Sequence, residues 1–338
     1  MLGRVARFFD ETMHPAWYHS AIATPPYFEG WYFKCVSPDQ GARYAIIPGI
    51  FLNHDPAREH AFVQVFDGVT GRATYHRYPA REFVLTPGTF DLRVGPNHFT
   101  LRGFQLDIDD RTPGSERRVR GDVQFGALSP WPVSITAPGI MGPFGWIPVM
   151  ECYHGLLSFD HALYGALEDD GVQADFTGGR GYIEKDWGRS FPAAWVWMQT
   201  NHFSTPETSL CASIAIIPSF GSWFPGFIVG LRHLGRLYRF TTYAGGRATR
   251  LEVDGARVFW TLVNATHRIE ITATRAEASI LPGPSRDDMG KRVPETIRAS
   301  IEVKLMELSG DVVFHEHGSA AALEIAGEIE RLQAAVKP

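Results

Sequence analysis

Cysteine is scarce. The three residues Cys35, Cys152 and Cys211 are odd in number, far apart and form no C-x-x-C pair. That argues against a disulfide framework and a zinc knuckle, and makes a reducing compartment the default. No apolar run reaches the ~18 residues of a membrane span. Met1 to Phe9 carries two Arg but neither a long apolar stretch nor a small-residue cleavage site, so no signal peptide is expected. Positive charge is in deficit, with 32 Lys plus Arg against 37 Asp plus Glu, which argues against a nucleic-acid partner. The expectation is a soluble, cytoplasmic protein. Familiar catalytic signatures are missing as well: there is no G-x-S-x-G elbow, no phosphate-binding G-x-x-x-x-G-K-[ST], no G-x-G-x-x-G and no H-E-x-x-H. Hydrolase, nucleotide-dependent and zincin readings weaken together.

Aromatic and turn residues are abundant instead. Aromatics make up 13% of the chain, and 34 Gly with 23 Pro leave little room for long helices. Hydrophobic residues are 44%, too many for disorder. A chain of 338 residues buries enough surface to need no disulfide or structural metal, and its length suggests two domains. A division near residue 180 gives units 1–180 and 181–338.

Period-two alternation dominates. Phe104, Leu106 and Ile108, then Val258, Trp260 and Leu262, then Ile269, Ile271 and Ala273, then Ile297 through Leu305 mark strands with one buried face. Turn signals such as Asp67-Gly68 and Asp254-Gly255 separate such runs. The fold class is mainly β, a sandwich or barrel architecture with short helices at the termini. Leu323, Ile325, Ile329 and Leu332 predict a helix over 322–336. Asp109 to Gly121 reads as an exposed hairpin tip, Pro282 to Glu295 as a long loop, and Pro130 to Pro148 as a boundary loop or pocket wall.

Chemistry concentrates between Gly178 and Phe203. On a strand, Trp195, Trp197, Gln199 and Asn201 share one face and Val196, Met198, Thr200 and His202 the other. Two indoles and two amides together suit either a barrel interior holding an amphipathic ligand or a hydrogen-bond network filling a barrel end. Just upstream, Glu184, Lys185 and Asp186 lie between Tyr182 and Trp187. If buried, such carboxyls tend toward a raised pKa and the amine toward a depressed one, while their mutual attraction opposes both. A carboxyl that keeps its proton is a general acid; the alternative is a salt-bridge network. Glu29 shares a face with Trp31, Phe33 and Cys35, where a carboxylate is costly unless paired or functional. His154 is a core histidine or a catalyst. His315 and His317 could face one metal on a strand, but no third ligand is near in sequence and an exposed strand end is the simpler reading. No metal site is expected.

Four blocks carry a family resemblance: PYFEGWYFK (Pro26 to Lys34), GPFGWIPVMECYHG (Gly142 to Gly155), DFTGGRGYIEKDWGRSFPAAWVWMQTNHF (Asp175 to Phe203) and GSAAALEIAG (Gly318 to Gly327). Through them the chain resembles the tocopherol cyclase family along almost its whole length. The resemblance implies two lipocalin-like β-barrels packed together, and cofactor-free conversion of a prenylated benzoquinol to a chromanol. The wider group it is similar to includes carotenoid hydratases and cofactor-free pericyclic cyclases. Plant members carry Asn where this chain has Asp186, whereas Glu184, Lys185 and Trp187 match, which ranks Glu184 above Asp186 as the acid.

Cyclisation needs a proton on a trisubstituted alkene, capture of the tertiary cation by the phenol oxygen, and loss of the phenol proton. Glu184 or Asp186 is assigned as donor, with Lys185 tuning its pKa. Trp187, Trp195, Trp197, Trp31 and Tyr32 would line the tail and cation region. Gln199 and Asn201 would hold the quinol hydroxyls, and Glu29 and His154 are further acid/base candidates. Two alternatives remain: hydration or pericyclic closure of another isoprenoid or polyketide, and non-catalytic carriage of a prenylquinone or carotenoid. The hydrophobic substrate would reside in membranes, so peripheral contact is expected, through exposed aromatics or the amphipathic start Leu2, Val5, Phe8 and Phe9.

Overall fold

Each alternating run becomes a strand with its apolar set inside. Phe104, Leu106 and Ile108 are buried in the strand Gly103–Asp110, and Ile297 through Leu305 in Lys291–Glu307. The computed structural model describes residues 2–219 and 221–336. They form two units, one of residues 1–191 with 282–292 and one of 192–281 with 293–338.

The first unit holds a 12-stranded antiparallel sheet. Its order runs from Ala73–Tyr78 through His60–Asp67, Arg43–Leu52, Tyr27–Val36, Arg180–Gly188, Cys152–Asp169 and Arg117–Phe125 to Gly103–Asp110 and three short strands beyond. The strand Arg180–Gly188, which the division near 180 would assign to the second half, is hydrogen-bonded on both sides within this sheet. Residues 284–290 join the first unit too, as a loop shorter than the one read from sequence, because Ser279–Gly283 and Lys291–Glu307 are strands. The hairpin tip likewise shrinks to 111–116, and Arg117 is buried rather than exposed.

Side chains from far apart along this sheet meet in one core, Val63 and Val65 with Leu92, Phe99 and Phe104, so the sheet curls on itself. Polar clamps join strands that are not ladder neighbours. Arg117 makes a bidentate pair with Asp169 on the adjacent strand (2.9 and 2.5 Å), and from there reaches across to donate to the Val65 carbonyl at 2.9 Å. Tyr44 Oη donates to the same carboxylate at 2.8 Å. His76 Nδ1 lies 2.8 Å from Asp110 across the same gap.

The second unit holds a 10-stranded antiparallel sheet in which Ala194–Thr200 lies between Ser209–Ser219 and Val312–Gly327. Its core includes Val196, Met198, Val229, Trp260, Ile271 and Leu305. The helix expected over 322–336 is confined to Ile329–Ala335, and residues up to Gly327 are strand. Ala320 to Leu323 are all buried, and such a two-sided run has no period to separate strand from helix. Ile329 and Leu332 of the short helix close onto this core. Among the described residues no helix is long and apolar enough to cross a membrane.

The clamp at Arg117 can be tested directly. Arg117→Leu should lower stability by about 3–5 kcal/mol in urea melts, because it leaves the Asp169 carboxylate buried without its partner. Adding Asp169→Leu should recover part of that loss.

Candidate active site

Hydrogen bonds on both sides of Arg180–Gly188 fix its register, and the pleat then sorts its charges. Glu184 is paired with Tyr32 and Leu156, and Asp186 with Gly30 and His154. Lys185 is paired with Trp31 and Gly155, and Trp187 with Glu29 and Tyr153. Consecutive residues point to opposite faces. Lys185 is therefore turned away from Glu184 and Asp186, and makes its direct contacts on the other face, although the Asp186 charge still acts on its ammonium.

On its own face, Lys185 is fully buried with Glu29. Its Nζ lies 2.5 Å from Glu29 Oε1. It also donates to the Pro15 carbonyl at 3.3 Å, to the Trp17 carbonyl, and to His19 Nδ1 at 2.9 Å. Glu29 accepts from the His19 amide at 3.2 and 3.1 Å and from Tyr27 Oη. The ammonium sits 4.7 Å from the ring centroids of both Trp31 and Trp187. Burial pushes the Glu29 carboxyl up, but the Lys185 ammonium and His19 more than reverse this, so it lies below its ordinary value. Burial pushes Lys185 down to about 8 against the pull of Glu29. Both are ionised at pH 7. Burial, with the Lys185 charge, pushes His19 down to about 4. A neutral His19 accepting from Lys185 at Nδ1 carries its proton on Nε2. This is a closed ion-pair network, so Glu29 takes the paired rather than the acid/base role. Trp31 is likewise a core residue: it is buried among Phe83 and Phe90 and donates from Nε1 to the Ala16 carbonyl at 3.1 Å.

The opposite face carries a different assembly. His154 Nδ1 lies 2.9 Å from Asp186 Oδ1, and its Nε2 lies 3.5 Å from Glu184 Oε2. Tyr182 Oη donates to Glu184 Oε2. One imidazole thus lies between two carboxylates, hydrogen-bonded to the partly exposed Asp186 and 3.5 Å from the buried Glu184. Tyr32, buried, is the cross-strand neighbour of Glu184.

A pocket reaches His154. Its walls include Phe8, Thr12, Pro138, Met141, Tyr153 and Trp187. Pro138 and Met141 fulfil the pocket-wall alternative for the Pro/Gly-rich stretch. Trp187 is sandwiched, with His19 stacked at 4.1 Å and Tyr153 at 5.3 Å between ring centroids. Gly155 makes room for the indole, since a Cβ there would lie 3.1 Å from its ring. The buried Nε1 of Trp187 has no hydrogen-bond partner among the described residues.

The remaining expected residues belong to the second unit. Trp195, Trp197 and Gln199 lie on the face of Ala194–Thr200 opposite Val196 and Met198. That second set, not the tryptophans, fills the interior of this sheet, which corrects the barrel-interior alternative. All three are buried, as is Asn201 just beyond the strand, and Trp195 Nε1 donates to Glu324 at 2.6 Å. His315 and His317 are exposed and share Glu302 as partner at 2.8 and 3.8 Å. Sequence reasoning missed Tyr27, Tyr182 and His19. The two tyrosines stand two residues from Glu29 and Glu184 and share their faces, so alternation could have found them. His19 comes from an irregular segment that carries no such signal.

Residues 114–327 match the family described as tocopherol cyclase-like. The chain is similar to the chloroplastic tocopherol cyclase of Zea mays, at 26% identity over 199 residues, covering 54% of this chain and 41% of that protein. It is also similar to an Oryza sativa subsp. japonica protein named "Probable tocopherol cyclase, chloroplastic", at 22% identity over 373 residues, covering 94% and 78% respectively. The solved structure of CghA with Sch210972 shares the fold, with a TM-score of 0.56 at 11% identity over 90% of this chain and 89% of that one.

The Glu29–Lys185 pair predicts a pH signature. Glu29 has a folded pKa below its ordinary 4.5. Its stabilising contribution is therefore complete above that ordinary value and is lost as pH falls through the folded one. Glu29→Gln should cost about 3–5 kcal/mol at pH 7 by leaving a buried ammonium uncompensated. In urea melts across the acid range, the variant should lose less stability than the wild type below pH 4.5.

Proposed function

Because the chain belongs to the tocopherol cyclase-like family, we propose that it cyclises a prenylated benzoquinol to a chromanol by proton transfer alone. The observation that carries this reading is His154 set between Glu184 and Asp186 on one face of Arg180–Gly188. The reaction needs an acid for the alkene and a base for the phenol, and nothing is gained or lost overall.

Glu184, buried and held by Tyr182, gives its proton to the less substituted alkene carbon. A tertiary cation forms, and the neighbouring phenol oxygen attacks it to close the ring. The phenolic proton passes to Asp186 or His154, and the imidazole, in contact with both carboxylates, returns a proton to Glu184. Acid and base are thereby reset within one cluster, a contribution typically of 10²–10⁴-fold. Trp187 faces away from Glu184 on the same strand, so it is proposed to line the adjoining pocket rather than to touch the carbon that Glu184 protonates. Tyr32, Trp195, Trp197, Gln199 and Asn201 remain proposed substrate contacts. Holding the folded prenyl tail over the ring supplies the orientation that the free substrate lacks.

The test is incubation with a phytylated or geranylgeranylated methylbenzoquinol in heavy water. The expected product is a chromanol of unchanged skeleton carrying one non-exchangeable deuterium in the former prenyl chain. A product heavier by one water would instead assign hydration, and stable uptake without turnover would assign a carrier. Glu184→Gln with Asp186→Asn should reduce turnover by about 10²–10⁴-fold. Full activity in that double variant would remove the assignment.

A further inference from the structure

The helix Leu2–Met13 has an apolar stripe wider than the surface its own unit covers. Val5, Phe8, Phe9 and Thr12 lie at helical spacing on one side. Phe8 and Thr12 turn into the pocket wall, whereas Val5 is 63% and Phe9 45% exposed. The side chain of Leu2 lies outside the described residues. Phe9 stacks on Trp146 at 5.0 Å, and Trp146 Nε1 donates to the Ile135 carbonyl at 2.8 Å. The helix is thus continuous with the segment 133–149, where Val133, Ile135, Ile147 and Val149 are exposed. Six of the fourteen large apolar residues exposed among the described residues fall in these two segments. Scattered exposed apolar residues need no explanation, but a concentration of this kind marks an interaction surface.

Two features choose the occupant. From Gly126 to Met150 there is no Asp, Glu, Lys, Arg or His, in a chain that is 20% charged. A protein partner would be met by a polar, charge-bearing rim, and this surface offers none there. On the helix, Glu11 is folded inward onto Ser20 and the Ala21 amide, and Arg4 donates from Nε to the Ala21 carbonyl at 2.8 Å; with Glu11 buried, the exposed Arg4, Arg7 and Asp10 give this flank a net positive charge. An apolar face bordered by Arg is the pattern of a helix lying in a bilayer interface.

We infer that the helix Leu2–Met13 and the segment 133–149 form a docking surface for a lipid bilayer, directly outside the pocket that reaches His154. The same two segments wall that pocket through Phe8, Thr12, Pro138, Met141 and Gly145. A hydrophobic molecule leaving the bilayer there meets these side chains first. The docking does not depend on which reaction follows.

The experiment is flotation of the full-length protein with vesicles of phosphatidylcholine, alone and mixed with phosphatidylglycerol, without substrate. Wild-type protein should float with the vesicles, more strongly with the anionic lipid. Val5→Glu with Ile135→Glu and Val149→Glu, all at exposed positions, should reduce partitioning by at least ~10-fold with an unchanged melting temperature. On a detergent-dispersed quinol the variant should match wild-type turnover, so loss of docking and failure of the cyclase reading give separate results. Wild-type protein that stays in the aqueous fraction, or a triple variant that floats like wild type, would overturn the inference. So would a dimer, seen by gel filtration, that the triple variant dissociates while neither protein floats; the face would then join two copies of this chain.

Discussion

An ammonium taken out of water must be met by acceptors on every side and by a counter-charge, or it will not stay charged. Lys185 is met by the Glu29 carboxylate, the Pro15 and Trp17 carbonyls and the His19 ring. Two of these acceptors are backbone atoms of an irregular segment, so the charge fixes the path of the chain before the first strand. Where that path goes determines where the helix Leu2–Met13 can lie and which side of the pocket it can wall. The same charge sets His19 against Trp187, and Tyr153 against Trp187 completes the stack.

The cost of that arrangement falls on one face of one strand, and the other face carries a separate set of charges. Tyr182, Glu184 and Asp186 alternate with the clamp residues. They meet His154 because the neighbouring strand is held in register from Cys152 to Leu156. A structural ion pair and the Glu184–His154–Asp186 cluster thus sit back to back, separated by a single backbone. Movement of the register by one residue would exchange the two, placing Lys185 among the acids and Glu184 in the packed interior. That is a strong reason for hydrogen bonding on both sides of Arg180–Gly188.

The alternating strands were legible in the sequence because a half-buried sheet writes its period directly into residue order, as at 104–108 and 297–305. Where burial is two-sided the period vanishes, and Ala320 to Leu323 then look helical although they are strand. The concentration of charge among aromatics at 182–187 was visible too, as was Glu29 as a carboxylate in apolar company. Its partner was not visible, because Lys185 is far away in the chain and nothing local announces that two strands will be neighbours. The unit boundary was misplaced for a related reason: a strand ladder, not a change in composition, decides that 180–188 belongs with Tyr27–Val36.

The sequence by itself determined the class of the fold, the residues available for acid–base work, the family likeness and the uncharged stretch Gly126–Met150. These are properties of composition, period and local order, which any chain carries before it folds. Only the tertiary structure decided how those residues combine. It turned Lys185 toward Glu29, joined Glu184 and Asp186 through His154, consigned Trp31 to the core, and put the face of Val196 and Met198 inside the second sheet. The reason is that pairing between distant strands sets which side chains share a face, and that pairing is a property of the whole sheet.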